Sequence, residues 1–367
     1  MPSVLIYGDT VRSPELRHEV PVPIGDPFVY LEHNGTRRVF VGSLEIPRLV
    51  GLDGLDVRPL EELGLDELYG MGLRSHELHN ELLLRACRIE GVGDALVPRE
   101  FPLGAADHLR GNDVQVRPDA EFFDRRRRAK SAAELAGIRR AQSACERAMD
   151  SIRERLREGG ATSSEELKAR VLQTFNEAGM LAADEPIVSH GAQTAIGHDA
   201  GSGEIAAGEP IVVDLYPQDP ESGCYADMTR TFCVGEPPEE LAGYHRLCRQ
   251  ALDRVYEAVR PGVSGAELHR IACDLFEQHG HPTQLSKQPG QVLEDGFFHS
   301  LGHGVGLEVH EEPYLGRNGD VLVPGDVLAI EPGLYRKGFG GCRLEDLVLV
   351  TDDGCEVLAN YPYDLAP

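Results

Sequence analysis

The sequence predicts an α+β protein: a C-terminal domain built on a pseudo-symmetric antiparallel sheet flanked by helices, preceded by a small α/β domain. Three observations lead there. Two helical stretches repeat at a constant offset of 101 residues, two strand pairs each carry a pair of acids, and a basic joint separates these repeats from the first 120 or so residues.

The N-terminal part is taken first. "FVYLEHNGTRRVFV" (28–41) consists of two apolar-rich runs around Asn34-Gly35, a hairpin signal because both turn residues tolerate positive φ. "SHELHNELLLRACRI" (75–89) reads as a helix with Ser75 as its cap. His76 and His79 on it are expected to be surface or packing residues. "DRRRRAKSAAEL" (124–135) is the joint, and a long helical pattern runs on from it through Arg157. Its four arginines read as a solvated linker or an interdomain contact rather than a nucleic-acid patch. The expected domains are 1–124 and 125–367.

In the C-terminal part, "SSEELKARVLQTFNEAG" (163–179) resembles "SGAELHRIACDLFEQHG" (264–280). Both open on Ser-x-x-Glu, a capping box, and close on Gly, so each is expected to be one amphipathic helix. "GEPIVVDLY" (208–216) is echoed by "GDVLAIEPGLY" (325–335), each placing a carboxylate six residues after its Gly: Asp214 and Glu331. A second strand with a second acid follows each, "YADMTRTFCV" with Asp227 and "CRLEDLVLV" with Glu345, at intervals of 13 and 14 residues. Two halves thus deliver four carboxylates toward one axis. A buried ionised acid is costly unless paired or metal-bound, and two divalent cations would balance four such charges.

"FHSLGHGVGLEVHEEP" (298–313) adds His299, His303 and His310. A helical pair at positions 299 and 303 is disfavoured, because Gly302, Gly304 and Gly306 each cost about 1 kcal/mol in a helix. Residues 299 to 309 alternate as a strand does, with glycines where another backbone or a ligand comes close. On a strand, residues four apart lie roughly 13 Å from each other, so at most one of the pair should reach a given metal. Four acids and one imidazole favour hard divalent ions, Mn²⁺ first, with Co²⁺, Zn²⁺ or Fe²⁺ as alternatives. Such a pair of ions would deprotonate a bridging water to a hydroxide nucleophile.

Composition narrows the alternatives. A net charge of −25 would repel phosphate backbones, which argues against nucleic acid as a partner. No apolar run approaches the roughly 20 residues of a membrane span, and the start lacks the pattern of a leader. Eight scattered cysteines without C-x-x-C point to reduced thiols, buried as filler, in a cytoplasmic protein.

Asp214, Asp227 in "DMTRTF", His303 in "GHGVG", Glu331 in "EPGLY" and Glu345 in "RLED" resemble, in order and spacing, the five metal ligands of the pita-bread metallopeptidases. Among these the chain most resembles the Xaa-Pro aminopeptidase and prolidase family. The joint "RAKSAAELAGIRRAQ" and the small N-terminal domain match as well. The resemblance implies a pita-bread C-terminal domain and a dinuclear metal-dependent exopeptidase that hydrolyses the Xaa-Pro bond at peptide N-termini. It implies that Asp227 and Glu345 bridge the ions, that Asp214 binds one ion, and that His303 and Glu331 bind the other. Glu331 would also relay protons, His198, His299 and His310 would face the substrate, and Arg343 would orient the acids. It further implies a substrate with proline second and a homodimer.

Two departures from the family pattern concern specificity. The interval from Asp214 to Asp227 is lengthened by a loop containing Pro217 and Pro220, and Tyr314 stands where many prolidases carry an arginine suited to a dipeptide's carboxylate. The loop bears on substrate choice without removing a ligand, and Tyr314 favours an aminopeptidase over a strict Xaa-Pro dipeptidase, which is the alternative. A non-catalytic pita-bread binding protein is opposed by the complete ligand set. Intact metal carboxylates likewise oppose metal-independent hydrolysis of a guanidino compound, as in the creatinase branch. A methionine aminopeptidase does not need the N-terminal domain.

Overall fold

The computed structural model describes residues 2–367, which divide into two compact units, one ending at Arg127 and the other Arg128–Pro367. In the N-terminal unit a six-stranded mixed sheet runs in the order Leu55–Pro59, Thr36–Val41, Phe28–His33, Ser3–Gly8, Asp94–Val97, Gln115–Pro118. The Phe28–His33 and Thr36–Val41 strands form the expected hairpin, with Asn34 and Gly35 at φ 50° and 79°. The helix Ser75–Glu90 buries Leu78, Leu82, Leu83 and Cys87 against Leu5 and Val29. Ser75 is its first helical residue rather than its cap. The Glu77 carboxylate instead accepts from the Arg74 backbone N–H at 2.8 Å, so an acid of the first turn does the capping. His76 is exposed and His79 packs on Tyr7, with ring centroids 5.8 Å apart. Each arginine of the joint is ion-paired to a carboxylate, Arg125 to Glu121, Arg126 to Glu19 and Glu32, Arg127 to Glu15 and Asp124, Arg128 to Asp326.

The C-terminal unit shows the repeat as two helix pairs, each leading into antiparallel strands. Ala132–Glu158 and Ser164–Glu177 precede a three-stranded sheet of Ile187–His190, Ile211–Leu215 and Met228–Phe232. Glu239–Tyr256 and Gly265–Gln278 precede a five-stranded sheet ordered Glu311–Leu315, Gly302–Gly304, Val327–Ile330, Asp346–Val350, Cys355–Val357. A hairpin, Gly333–Arg336 with Gly340–Arg343, lies between the last long strands in sequence. The second helix of each pair is capped by a serine, Ser163 or Ser264. Only Ser264 and Glu267 complete the capping box; the Glu166 carboxylate is drawn away by Arg155 at 2.5 Å. All eight cysteines are free thiols and only Cys355 is not buried. Among the described residues no helix is long and apolar enough to cross a membrane.

The two halves are sewn together at the strands that carry the acids. Glu345 N–H donates to Thr229 O at 3.0 Å, and the Thr231 hydroxyl donates to Arg343 O at 2.8 Å. Behind them the buried Arg230 guanidinium donates to the Thr229 and Glu345 carbonyls and to Asp346, at 2.9, 2.8 and 2.8 Å.

The continuous strand expected over 299–309 is replaced by a short strand, Gly302–Gly304, and an irregular bend over 305–310. Alternation correctly indicated a strand but could not show where it ends. Its two flanking strands approach so closely that side chains are excluded. A Cβ at Gly302 would lie 1.9 Å from Ala329 O, and one at Gly304 would lie 2.4 Å from Glu312 O. The pairing slips between these glycines, and the chain bends away at once. Gly304→Ala is therefore expected to destabilise by about 1–3 kcal/mol through overpacking. Thermal unfolding should register this as a midpoint lowered by about 2–4 °C per kcal/mol.

Candidate metal centre

Each acid leaves the end of a strand or sits on one. Asp214 is on Ile211–Leu215, Asp227 immediately precedes Met228–Phe232, Glu331 follows Val327–Ile330, and Glu345 precedes Asp346–Val350. His303 is the middle residue of Gly302–Gly304. All five line one cavity of about 760 Å³, together with His198, His299, His310 and Arg343. Every site residue singled out in the sequence is thus brought to the same place.

His303 Nε2 lies 3.8 Å from Asp227 Oδ2 and 3.8 Å from Glu331 Oε1. Its other nitrogen, Nδ1, is 3.1 Å from Gly304 O, which can only accept, so Nδ1 carries the proton and Nε2 turns a lone pair into the cavity. Ligand atoms of Asp227, His303 and Glu345 all fall within 4.8 Å of one another. One Glu345 oxygen accepts from the Thr229 hydroxyl at 2.6 Å. Arg343 donates to Asp214 Oδ2 at 2.6 Å and to Gly197 O at 3.3 Å. The other Asp214 oxygen, Oδ1, is buried without a hydrogen-bond partner among the described residues.

The electrostatics follow from that crowding. Burial, with the charges of Glu345 and Asp214, pushes the Asp227 carboxyl far above its ordinary range. Glu345 is pushed well up by burial and then by Asp214 and Glu331. Burial carries Glu331 to about 7, although Arg343 pulls the other way. The His303 imidazole is driven down to about 3, by burial and then by His310, and is therefore neutral. Crowded carboxyls whose charged forms burial disfavours, an orphaned Asp214 oxygen and an inward imidazole lone pair together fit hard divalent cations.

The histidines are not equivalent. His310 is exposed, its ring set edge-on to His303 with centroids 4.2 Å apart, and His198 is exposed as well. His299 has both nitrogens engaged by the protein: Nδ1 lies 2.7 Å from Ser300 O, and Nε2 lies 3.0 Å from the Tyr335 hydroxyl. Since Nδ1 must be the donor to that carbonyl, the tyrosine donates to Nε2, and Arg343 in turn donates to the tyrosine oxygen at 3.4 Å. Burial and then Arg343 hold His299 at about 3, so it is neutral.

Tyr335 and Thr229 are site residues that reading the sequence for acids and histidines passed over. A signal was present: both strand echoes end on tyrosine, Tyr216 and Tyr335. Tyr216 also lines the cavity, donating to Glu185 O at 2.6 Å.

A family model described as metallopeptidase family M24 matches residues 136–352. The Mycobacterium tuberculosis protein named probable dipeptidase PepE is 33% identical over 250 residues, 67% of this chain and 62% of that protein, so the match spans less than two thirds of the relative's length. The Xaa-Pro dipeptidase of Pyrococcus horikoshii is 30% identical over 285 residues, 76% of each chain. The crystal structure of the prolidase from Pyrococcus horikoshii OT3 superimposes with a TM-score of 0.79 at 25% identity, covering 100% of this chain and 95% of that one. The repeated helix–sheet architecture is therefore the pita-bread fold, and the chain belongs to metallopeptidase family M24.

Proposed function

We propose that the protein is a dinuclear metal-dependent exopeptidase that cleaves the Xaa-Pro bond at peptide N-termini. The observation that carries this reading is the set of four carboxylates and one inward-facing imidazole in a single cavity. Asp227 and Glu345 would be shared by two ions, Asp214 would hold one, and His303 and Glu331 the other, with Mn²⁺ the first candidate. When bound, the ions acidify a water and polarise a carbonyl at neutral pH.

The protein's own groups do the rest. Glu331, in the same cavity as the other acids, would take a proton from the water and return it to the leaving nitrogen. His310 and His198, exposed in the cavity wall, can donate to an oxygen that gains charge. His299, engaged by Ser300 and Tyr335, serves as a fixed wall rather than a free donor. Phe298 lies on the Tyr335 ring with centroids 4.8 Å apart, giving an apolar face suited to a proline ring. An Xaa-Pro amide has no N–H, so a site that grips the carbonyl side suits it.

Aminopeptidase and dipeptidase readings differ in what must recognise the substrate's far end. Arg343 is the one Arg or Lys among the described residues lining the cavity, and it is committed to Asp214. A dipeptide's free carboxylate therefore has no dedicated cation, whereas Asp184 and Glu185 in the wall can meet an α-ammonium. That favours the aminopeptidase; the dipeptidase reading draws on the names of the relatives.

A panel of Xaa-Pro dipeptides, Xaa-Pro-Yaa tripeptides and N-blocked tripeptides tests this. Free tripeptides are expected to give the highest kcat/KM and blocked ones none; turnover confined to dipeptides would establish the dipeptidase. Asp227→Ala and Glu345→Ala should each abolish turnover and lower bound metal, whereas His310→Ala should keep its metal and lose about 10²–10³ in kcat. Full metal content in either acid variant would refute the ligand assignment.

A pH dependence follows for the chelated protein. Unfolded glutamate releases its proton near 4.5 and folded Glu331 near 7, so between these values the folded state binds more protons and loses stability as pH rises. The raised Asp227 and Glu345 act in the same direction. Measured against Glu331→Gln, the wild-type unfolding midpoint without metal should therefore fall as pH rises through this window, since neutral His299 and His303 oppose the trend equally in both proteins. Its gain on adding Mn²⁺ should be larger at the alkaline end; an equal gain throughout would contradict the charge argument.

A further inference from the structure

The sequence motif that the site does not absorb is the joint "RAK" at residues 128–130. In the C-terminal unit it is fixed by two buried ion pairs. Arg128 grips Asp326 with two hydrogen bonds of 2.8 and 2.7 Å. Lys130 Nζ lies 2.5 Å from Glu311 Oε1, and the two side chains are only 3% and 1% exposed. Glu311 is the residue after His310, the first of the strand Glu311–Leu315, and stands opposite Gly304, the neighbour of His303.

The pair also accounts for Gly306. A Cβ there would lie 2.6 Å from Glu311 Oε1 and 2.8 Å from Lys130 Cε, so the carboxylate and ammonium fill the notch that this glycine leaves. The bend at 305–310 has its start fixed by Val305 N–H to Val327 O at 2.9 Å and by Tyr225 N–H to Gly306 O at 2.8 Å. Its His310 end is where the Glu311 side chain is held. Apolar residues of similar volume would fill the notch without the desolvation cost of two charges, but a buried ion pair, unlike an apolar contact, constrains direction as well as distance.

We infer that Lys130 and Glu311 form a strut that positions His310 over the metal centre, setting the rate of bond cleavage rather than substrate or metal affinity. This rests on the exopeptidase reading above. Lys130 and Glu311 are positioning residues: neither lines the cavity. A misplacement near 1 Å in such a group can cost about 10²-fold in rate.

The test is the double variant Lys130→Met/Glu311→Gln, which removes both charges together and leaves neither buried alone. It is compared, with and without His310→Ala, against Arg128→Gln/Asp326→Asn, which breaks the adjacent pair. The strut variant should keep its metal content and hold KM within about twofold while kcat falls about 10- to 100-fold. Adding His310→Ala should then bring the total loss to that of His310→Ala alone and no further, because both changes act through the same imidazole. In the Arg128/Asp326 variant, by contrast, the loss from His310→Ala should multiply with any other loss. Unchanged kcat in the strut variant, or full multiplication with His310→Ala, overturns the inference. The His310 imidazole NMR signal, assigned by its loss in His310→Ala, gives a readout independent of turnover. With diamagnetic Zn²⁺ bound, it should shift or broaden in the strut variant and stay in place in the Arg128/Asp326 variant; an unmoved signal in the strut variant counts against the strut. Should the wild-type protein cleave no Xaa-Pro peptide, the functional reading fails, and the NMR comparison still decides the strut.

Discussion

Six carboxylates, four of them the inner set Asp214, Asp227, Glu331 and Glu345, line one cavity with a single guanidinium among the described residues, and that charge imbalance is the constraint on which the site depends. Arg343 is hydrogen-bonded to Asp214, at 2.6 Å, and acts on the other three acids only through its charge. Asp227, Glu331 and Glu345 lie deep enough that burial favours their protonated forms. A fold that gathers such groups without a cation works against itself, because each proton retained at neutral pH is an energetic debt relative to the open chain. The antiparallel halves resolve the positional side of the problem. Each acid sits on or beside a strand whose backbone is already bonded, so the carboxylates converge without a flexible loop to carry them.

The same local device orients two histidines to opposite ends. In His299 and His303 alike, Nδ1 faces the carbonyl oxygen of the next residue, Ser300 or Gly304, which fixes the tautomer and frees Nε2 as an acceptor. What Nε2 meets then decides the role. For His303 it is the carboxylates of Asp227 and Glu331 across 3.8 Å, a gap that a cation could bridge. For His299 it is the Tyr335 hydroxyl, so this imidazole closes a chain that runs back through Arg343 to Asp214. Arg343 thereby ties an acid of the first half to a histidine of the second.

The parts legible in the sequence were those set by local pattern. Constant spacing between copies identified the helices at 164–177 and 265–278, and matched acids after apolar strands identified the cavity. The parts that were not legible depend on distant backbone. Alternation through residue 309 could not reveal that Ala329 O and Glu312 O press on Gly302 and Gly304 and end the strand. Ser-x-x-Glu at 163 looked identical to its copy at 264, but Arg155 claims Glu166 and leaves the box half made. Tyr335 was hidden for another reason: its role depends on a hairpin that folds it back toward His299, which no spacing from Glu331 discloses.

The neighbours Glu345 and Asp346 show most directly how this fold separates a structural acid from one available to a ligand. Successive residues on an extended chain face opposite sides, so the two carboxylates of "ED" see different surroundings. Asp346 points away from the cavity and is fully supplied by protein: Arg230 at 2.8 Å, the Tyr256 hydroxyl at 2.8 Å and the Tyr363 hydroxyl. The C-terminal segment completes that network, with Arg230 also donating to the Tyr361 and Pro362 carbonyls and lying 4.3 Å from the Tyr363 ring centre. Among the described residues Glu345 receives a side-chain hydrogen bond only from the Thr229 hydroxyl, and it shares the cavity with Asp214, Asp227 and Glu331. Protein donors were thus available within one residue of Glu345, yet they are spent behind the sheet. A cavity kept short of positive charge beside a saturated acid of the same chain is what a site reserved for cations requires, and an accident of surface acidity would not produce it.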